Sequence, residues 1–333
     1  MKKINIIILS LFLILITFSK VNSDEKFNSW ITKFKKKAID EGISEKTVDA
    51  VMNNAIFLPK VIEYDRYQPE FYEDTKTYVS KRTSKDKVKK GKRIYKKNKN
   101  LINVVDEEFK VEKELLLALM GIETNYGTYL GKMDIISSLA TLSYDKRRSE
   151  FFSHELITIL RLIDQNKVNK DILFGSWAGA FGNFQFMPTT ISNYAIDYNN
   201  NSIIELKETD DSFASAANYL NKIGWKKNEP CFFQIDLNEN IPKKFLNTSA
   251  KKINYKKKFK YYKKYIKELK NLKIDDNVKV AIITPDSDIV KNNDKLNPAY
   301  LVFRNYDKVL KWNRSLRFAI AVCTLKSKFE NEL

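Results

Sequence analysis

Histidine and cysteine are scarce in this chain of 333 residues, which has one His and two Cys. A Cys/His zinc site needs three or four ligands, so a single chain of this composition cannot assemble one. The lone His154 falls in SEFFSHELITIL, where Phe152, Leu156, Ile159, Leu160 and Ile163 mark the core face of a helix. That spacing puts His154 on the opposite, solvated face with Thr158 and Arg161. Neither GxxxxGK[ST] nor GxGxxG occurs, so the phosphate-cradling loops of nucleotide enzymes have no counterpart. Glycine is sparse as well. Six of the nine glycines lie between Gly121 and Gly182, which marks the stretch where the backbone turns sharply or approaches something closely.

Hydrophobic residues make up 43% of the chain and aromatic residues 13%, enough for a packed core, and the length fits about two domains. The formal charge of +18 favours an anionic partner: nucleic acid, anionic lipid or an acidic wall polymer. A/T-rich codon usage competes as an explanation, because Lys, Asn, Ile, Tyr and Phe are abundant together.

Met1-Lys2-Lys3 followed by the apolar run 4–18, with Val21 and Ser23 at signal-peptidase spacing, reads as a signal peptide over 1–23. The run is shorter than the roughly 20 residues a spanning helix needs, and an uncleaved anchor is the alternative reading. No Cys stands near it to carry a lipoprotein anchor. Export makes nucleic acid an unsuitable partner. It also exposes Cys231 and Cys323 to an oxidising compartment, where a bridge and two separately buried thiols both remain open.

Beyond the leader, residues 24–110 show helical spacing with many charges, including the basic stretch Ser84 to Lys99, read as a solvated helix or loop. Residues 111–230 are more apolar. After Pro230 the runs CFFQIDL, NVKVAIITP and AYLVFRNY predict short strands in a small insert over 231–300. The lysine-heavy segment 251–273 between them reads as a solvated helix. Residues 301–333 return to helical periodicity and are expected to pack on the helical body.

Two segments carry chemistry. In VEKELLLALMGIETNYG, Glu123 stands in the last turn of a helix that Gly127 is placed to stop, on the face of Met120, Leu119 and Leu116. Desolvation and the negative end of the helix dipole both favour its protonated form, as a general acid requires. The competing reading is a Glu paired with Arg147 or Arg148. The second segment, GSWAGAFGNFQFMPTT, mixes small residues with hydrogen-bonding Ser176, Asn183 and Gln185 and the rings of Trp177, Phe181, Phe184 and Phe186. Sugar sites use such mixtures. A tight contact between helices is the alternative.

GIETNYG, SYDKRRSEFF, GSWAGAFGNFQFMPTT, AANYLNKIGW and AYLVFRNYDKVLKWNRSLRFAIAV, in that order, resemble the lytic murein transglycosylase B family, glycoside hydrolase family 103. The resemblance implies a mainly α (α+β) fold: a lysozyme-like helical catalytic core, an additional helical N-terminal region and a small strand-containing insert. It implies cleavage of the β-1,4 bond between N-acetylmuramic acid and N-acetylglucosamine with a 1,6-anhydro end formed, and Glu123 as sole catalytic acid/base. Ser176 matches the serine that orients the carboxyl or the acetamido group, and Gln185 the sugar-binding glutamine. Arg147 and Arg148 match the arginines that meet acidic peptide stems. Tyr219 matches the cleft tyrosine, and Asn313 the asparagine facing the acid. Trp312 and Phe318 stand where the family often has tyrosine, which keeps an aromatic face and puts hydroxyl hydrogen bonds in doubt.

DYNNNSIIELKE fits the EF-hand spacing at Asp197, Asn199, Asn201 and Glu208, with Ser202 in place of the turn glycine. Members of that family can carry calcium here; with Asn in place of acids, a metal-free polar loop is the preferred reading, and no cofactor is required. The implied partners are peptidoglycan glycan strands and cell-wall synthesis proteins, in the periplasm of a Gram-negative bacterium. A wall-binding scaffold and a lysozyme-type hydrolase are the alternatives.

Overall fold

The computed structural model describes residues 25–67, 72–269, 274–287 and 296–333; the expected leader, 1–23, lies outside the described residues. Helix starts follow local chemistry. After α1 (residues 25–40), Ser44 caps α2 (Glu45–Met52), and Pro59 opens α3 (Pro59–Arg66). Asp74 caps α4 (Thr75–Arg82), its carboxylate accepting from Thr77 N at 2.8 Å. Ser84 caps α5 (Lys85–Lys97), and α6 (Lys99–Phe109) follows.

Next comes α7 (Lys113–Thr124), buried on every side from Leu115 to Gly121. A helix with no polar face must sit at the centre of a body, and this one does, packed by α5, α6 and the C-terminal helix. A two-residue ribbon, β1 (Met133–Asp134), leads through the Asp134 cap into α8 (Ile135–Tyr144), which packs on α9 (Ser149–Asp164). Strand β2 (Phe174–Gly175) pairs with β1, and α10 (Pro188–Tyr194) and α11 (Thr209–Lys222) complete this part. His154 is exposed on α9 as expected, but Thr158 is buried. Its hydroxyl is satisfied by donating to His154 O at 2.8 Å, which lets a polar residue face the core.

The strand-rich part is a five-stranded sheet of β3 (Phe232–Ile235), β4 (Leu246–Asn247), β5 (Lys257–Lys258), β6 (Lys279–Ile283) and β7 (Ala299–Val302), with one helical turn, α12 (Phe259–Tyr262), after β5. Its order is β3-β7-β6-β4, and β5 also pairs with β6. All pairs are antiparallel except β4 with β6. Alternate residues face opposite ways: Phe232, Ala281, Ile283, Tyr300 and Val302 join the core of the helical body, whereas Phe233, Val280, Ile282, Ala299 and Leu301 join a second core. Burial on both faces is why these strands read as continuous apolar runs.

That second core corrects the reading of 251–273. Only α12 and one further tight turn are helical there, and Phe259, Tyr262 and Tyr265 are buried beneath the lysines; residues 270–273 lie outside the described residues. Aromatic rings, unlike a lysine-coated helix, find a core to enter. Finally α13 (Arg304–Trp312) and α14 (Leu316–Glu330) return to the body. Cys231, just before β3, and Cys323 of α14 form a disulfide with Cα atoms 6.1 Å apart, which pins the sheet to the helical body.

Candidate active site

Helix α7 ends earlier than its glycine predicts. Asn125, Tyr126 and Gly127 all take left-handed φ values of 50°, 62° and 76°, and the helix stops at Thr124 because asparagine tolerates that conformation. Asn125 N and Tyr126 N close back on Gly121 O and Met120 O, each at 3.2 Å. Lys87 of α5 donates to the same Gly121 carbonyl at 2.7 Å, and burial first, then the nearby Lys90 and Arg82 charges, hold its ammonium below the usual lysine range. The Thr124 hydroxyl donates to Asn183 O at 2.8 Å and accepts from Gly127 N at 3.0 Å. The end of the buried helix is thus fixed to the glycine-rich segment, and Glu123, half-buried, projects beside it.

Glu123 Oε1 accepts a hydrogen bond from Trp312 Nε1 at 2.9 Å. The sequence put hydrogen bonding at position 312 in doubt; the indole N–H supplies it. Trp312 ends α13 among rings. Its centroid is 5.3 Å from Phe186, 5.2 Å from Tyr219 and 6.2 Å from Phe184, with Tyr194 4.5 Å from Tyr219. The Tyr219 hydroxyl donates to Lys311 O at 3.1 Å, and burial, with help from Tyr194, pushes its pKa up to about 12. Tyr219 therefore stays a donor near neutrality, and the group it holds is the backbone that carries Trp312.

Gln185 sits at φ 51°, and its Nε2 is committed to Gly182 O at 3.0 Å and Leu130 O at 3.3 Å. Ser176 Oγ accepts from Ala180 N at 3.0 Å, which leaves its O–H available to donate. Both side chains are half-buried. The segment runs tight against its neighbour: a Cβ on Gly131 would lie 2.0 Å from Gly175 O. Asn313 follows Trp312 as the cap of α13 and is also half-buried.

Other nominated groups are elsewhere. Asn183 is buried, its amide donating to Lys207 O at 3.0 Å and Ser212 Oγ at 3.1 Å, so it is a pin and offers nothing to a sugar. Phe181, Phe184, Phe186 and Phe318 are core residues; of the rings expected to stack on sugar, only Trp177 and Trp312 stay half-exposed. Arg147 and Arg148 both turn to the buried Asp65 of α3, Arg147 through Nε at 2.6 Å and Arg148 through Nη2. The carboxylate they pair with is thus Asp65. Their outer edges, with Lys37, Lys146 and His154, line an open cleft of about 890 Å³.

The 197–208 loop spends its acceptors internally. Asp197 Oδ1 and Oδ2 accept from Asn201 N at 3.0 Å and Ser202 N at 2.6 Å, Asn199 Oδ1 from Asn201 N at 3.1 Å, and Asn201 Oδ1 from Ile203 N at 2.9 Å. Asn201 Nδ2 donates to Glu205 at 2.8 Å, and Glu208 is exposed at the head of α11. Among the described residues no group of three or more His, Cys, Asp or Glu converges as a metal site. The loop's oxygens accept from its own amides, and each keeps a second lone pair; the donors it presents are Asp197, Asn199, Asn201 and Glu208.

Thr124, Tyr194 and Lys87 were not singled out by sequence. Thr124 directly follows Glu123, which was the available signal; Tyr194 and Lys87 reach the site only through tertiary packing.

The description "Transglycosylase SLT domain" matches residues 26–327. The chain is 35% identical over 153 residues to Membrane-bound lytic murein transglycosylase B of Escherichia coli (strain K12); that match covers 46% of this chain and 42% of the relative, so it spans less than half of the relative's length. Among solved structures, SltB3 from Pseudomonas aeruginosa, in complex with NAG-anhNAM-pentapeptide, matches with a TM-score of 0.80 and 28% identity over 91% of this chain and 79% of that one. The Escherichia coli lytic transglycosylase Slt35 in complex with calcium has the same fold, with a TM-score of 0.72 and 23% identity over 90% of this chain and 92% of that one. With its end-to-end family match and its lysozyme-like helical body, this chain belongs to the transglycosylase SLT domain family.

Proposed function

We propose that this protein is a lytic transglycosylase that cuts the β-1,4 bond between N-acetylmuramic acid and N-acetylglucosamine in peptidoglycan. The observation that carries the reading is Glu123 at the end of a buried helix, one oxygen held by Trp312, whose ring packs on Phe186 and Tyr219. The side chains nominated around it are a serine, a glutamine, aromatic rings and an asparagine. Glycosidases that use water or an enzyme nucleophile need two carboxylates. Here the sugar's own C6 hydroxyl serves as nucleophile and one recycled carboxyl suffices. Glu123 gives its proton to the glycosidic oxygen as the C1–O bond breaks; O6 attacks C1, and its proton returns to Glu123. No water is consumed and no cofactor is needed. Tethering the nucleophile to the reacting sugar removes much of the entropic barrier.

Trp312 holds the carboxyl that does this: an indole N–H only donates, so it fixes Glu123 through Oε1 at the end of α7. Gln185, its donors committed, offers its carbonyl oxygen to a sugar hydroxyl or amide, and Ser176 offers an O–H. The protein works in the periplasm after export, accompanied by wall-synthesis proteins. Among the described residues no helix is long and apolar enough to cross a membrane. No step depends on an ion in the 197–208 loop.

Glu123→Gln keeps the fold and loses roughly 10²- to 10⁴-fold in turnover of purified sacculi, the usual worth of acid catalysis. Mass spectrometry of the released muropeptides decides the reaction type: anhydro ends, lighter by one water than the hydrolysis product, support the reading. Hydrated ends make the protein a hydrolase, and binding without release makes it a scaffold.

A further inference from the structure

The 25 residues from Lys243 to Lys267 contain 11 lysines and no Asp or Glu. The whole chain's excess is +18, so more than half of it arises from under a tenth of the length. Codon bias would spread lysine along the chain, with acids beside it; it does not gather an acid-free block. Ten of these lysines are exposed and Lys263 is half-buried. Lys256 pairs with Asp307 at 2.7 Å and Lys263 with Asp276, while the other nine have no ion-pair partner among the described residues. The block is folded surface, because it lies over the second core. Lys257 and Lys264 stand 5.1 and 5.8 Å from the Tyr261 ring centroid, and Lys244 5.4 Å from that of Phe245.

Lys256 joins this block to α13. Arg304, Lys308 and Lys311 fall four and three residues apart, on one stripe of that helix. A Cβ on Gly224 would lie 3.4 Å from Lys308 Nζ and 3.7 Å from Arg304 Nη2, so the two cations converge over the end of α11. Burial, then the charges of Lys311, Arg304 and Lys256, hold the Lys308 ammonium below its usual range, with Asp307 opposing. The residue after Lys311 is Trp312, which bonds Glu123. Cations therefore run from the sheet lobe along α13 to the catalytic carboxyl.

We propose that this strip holds the carboxylate-bearing peptide branches of the same glycan strand whose sugar bond lies at Glu123. The inference rests on the peptidoglycan reading above. Continuity selects the ligand: a polymer that fills the cleft and also carries acidic branches meets both surfaces at once, which neither a lipid surface nor a nucleic acid does. The Tyr261 ring is already flanked by two lysines, so the patch offers charge to its ligand in place of a bare face for stacking.

The test uses the full chain with Lys251, Lys252, Lys260 and Lys267 changed together to Gln, and in a second variant to Glu. In the Glu123→Gln background, so that substrate persists, the Gln variant binds purified sacculi about five- to tenfold more weakly at 50 mM salt, and the Glu variant more weakly still. The differences close at 1 M salt, where the Debye length is about 3 Å. With Glu123 intact, the KM for sacculi rises and kcat holds, while on glycan strands stripped of peptides the variants match the parent. Melting curves identify a misfolded Glu variant, and the Gln variant then carries the test. Equal sacculus binding by a folded variant overturns the proposal. So does a loss confined to phosphatidylglycerol vesicles or duplex DNA. Failure of the parent to cleave sacculi would instead overturn the enzymatic reading.

Discussion

Around Glu123, aromatic rings are assembled to aim one hydrogen bond, from Trp312 Nε1 to a carboxylate oxygen. In the sheet lobe, the rings of Phe245, Phe259, Tyr262 and Tyr265 form a floor and the charged groups above them face outward. Similar residue types thus do opposite work. In the helical body nearly every polar group near the site is pinned: Thr124 to Asn183, Gln185 to Gly182, Tyr219 to Lys311. Such pins remove conformational freedom and set geometry. In the lobe, by contrast, nine of eleven lysines have no ion-pair partner among the described residues, so they act through charge at a distance. The body is therefore sensitive to loss of single atoms, and the lobe to summed charge.

The disulfide joins the two, and removing it gives the largest stability effect. Cys231 and Cys323 are 92 positions apart, and closing a loop of that size stabilises by about 2 to 5 kcal/mol. Changing both to Ala lowers the melting temperature by roughly 3 to 8 °C for a chain of this size. Below the transition, turnover is expected to stay near that of the parent, since neither Cys is among the side chains placed around Glu123 above. A loss of turnover without a melting shift would show that the lobe steers the catalytic geometry, and would erase the separation just drawn.

The features legible in sequence were those set within a few residues. The strands appeared as apolar runs because both faces of the sheet are buried, and Glu123 stood out because a carboxylate ended an apolar helix. What was not legible came from distant partners. Trp312 lies 189 positions from Glu123, and no local pattern shows that its N–H reaches a carboxylate. Arg147 and Arg148 looked like partners for Glu123 until α3 brought Asp65 to them. Residues 251–273 misled for another reason: lysine counts dominated the reading, although the rings at 259, 262 and 265 fix that segment's fold.

Trp312→Phe sharpens the contrast from the catalytic side. It keeps a ring against Phe186 and Tyr219 and removes the donor. A hydrogen bond to a charged group is worth about 1.5 to 3 kcal/mol, so kcat falls roughly 10- to 100-fold while KM changes little. Trp312→Tyr restores a donor and recovers part of the loss. If the Phe variant lost substrate affinity with kcat intact, the ring would be acting as a sugar platform and the indole N–H would have no role in holding the carboxyl.

Calcium should do least. A cation that bound only the folded protein would raise the melting temperature in proportion to how far its concentration exceeds its dissociation constant. Of the ligands the 197–208 loop offers, Asp197, Asn199 and Asn201 already accept from Asn201 N, Ser202 N and Ile203 N. An ion would have to compete with those bonds and find Glu208, which is exposed at the head of α11. Titration to millimolar calcium is therefore expected to move the melting temperature by less than about 1 °C. A larger, saturable rise that magnesium fails to reproduce would mean the loop rearranges around the ion, and would add a second region of the body whose geometry is set by charge.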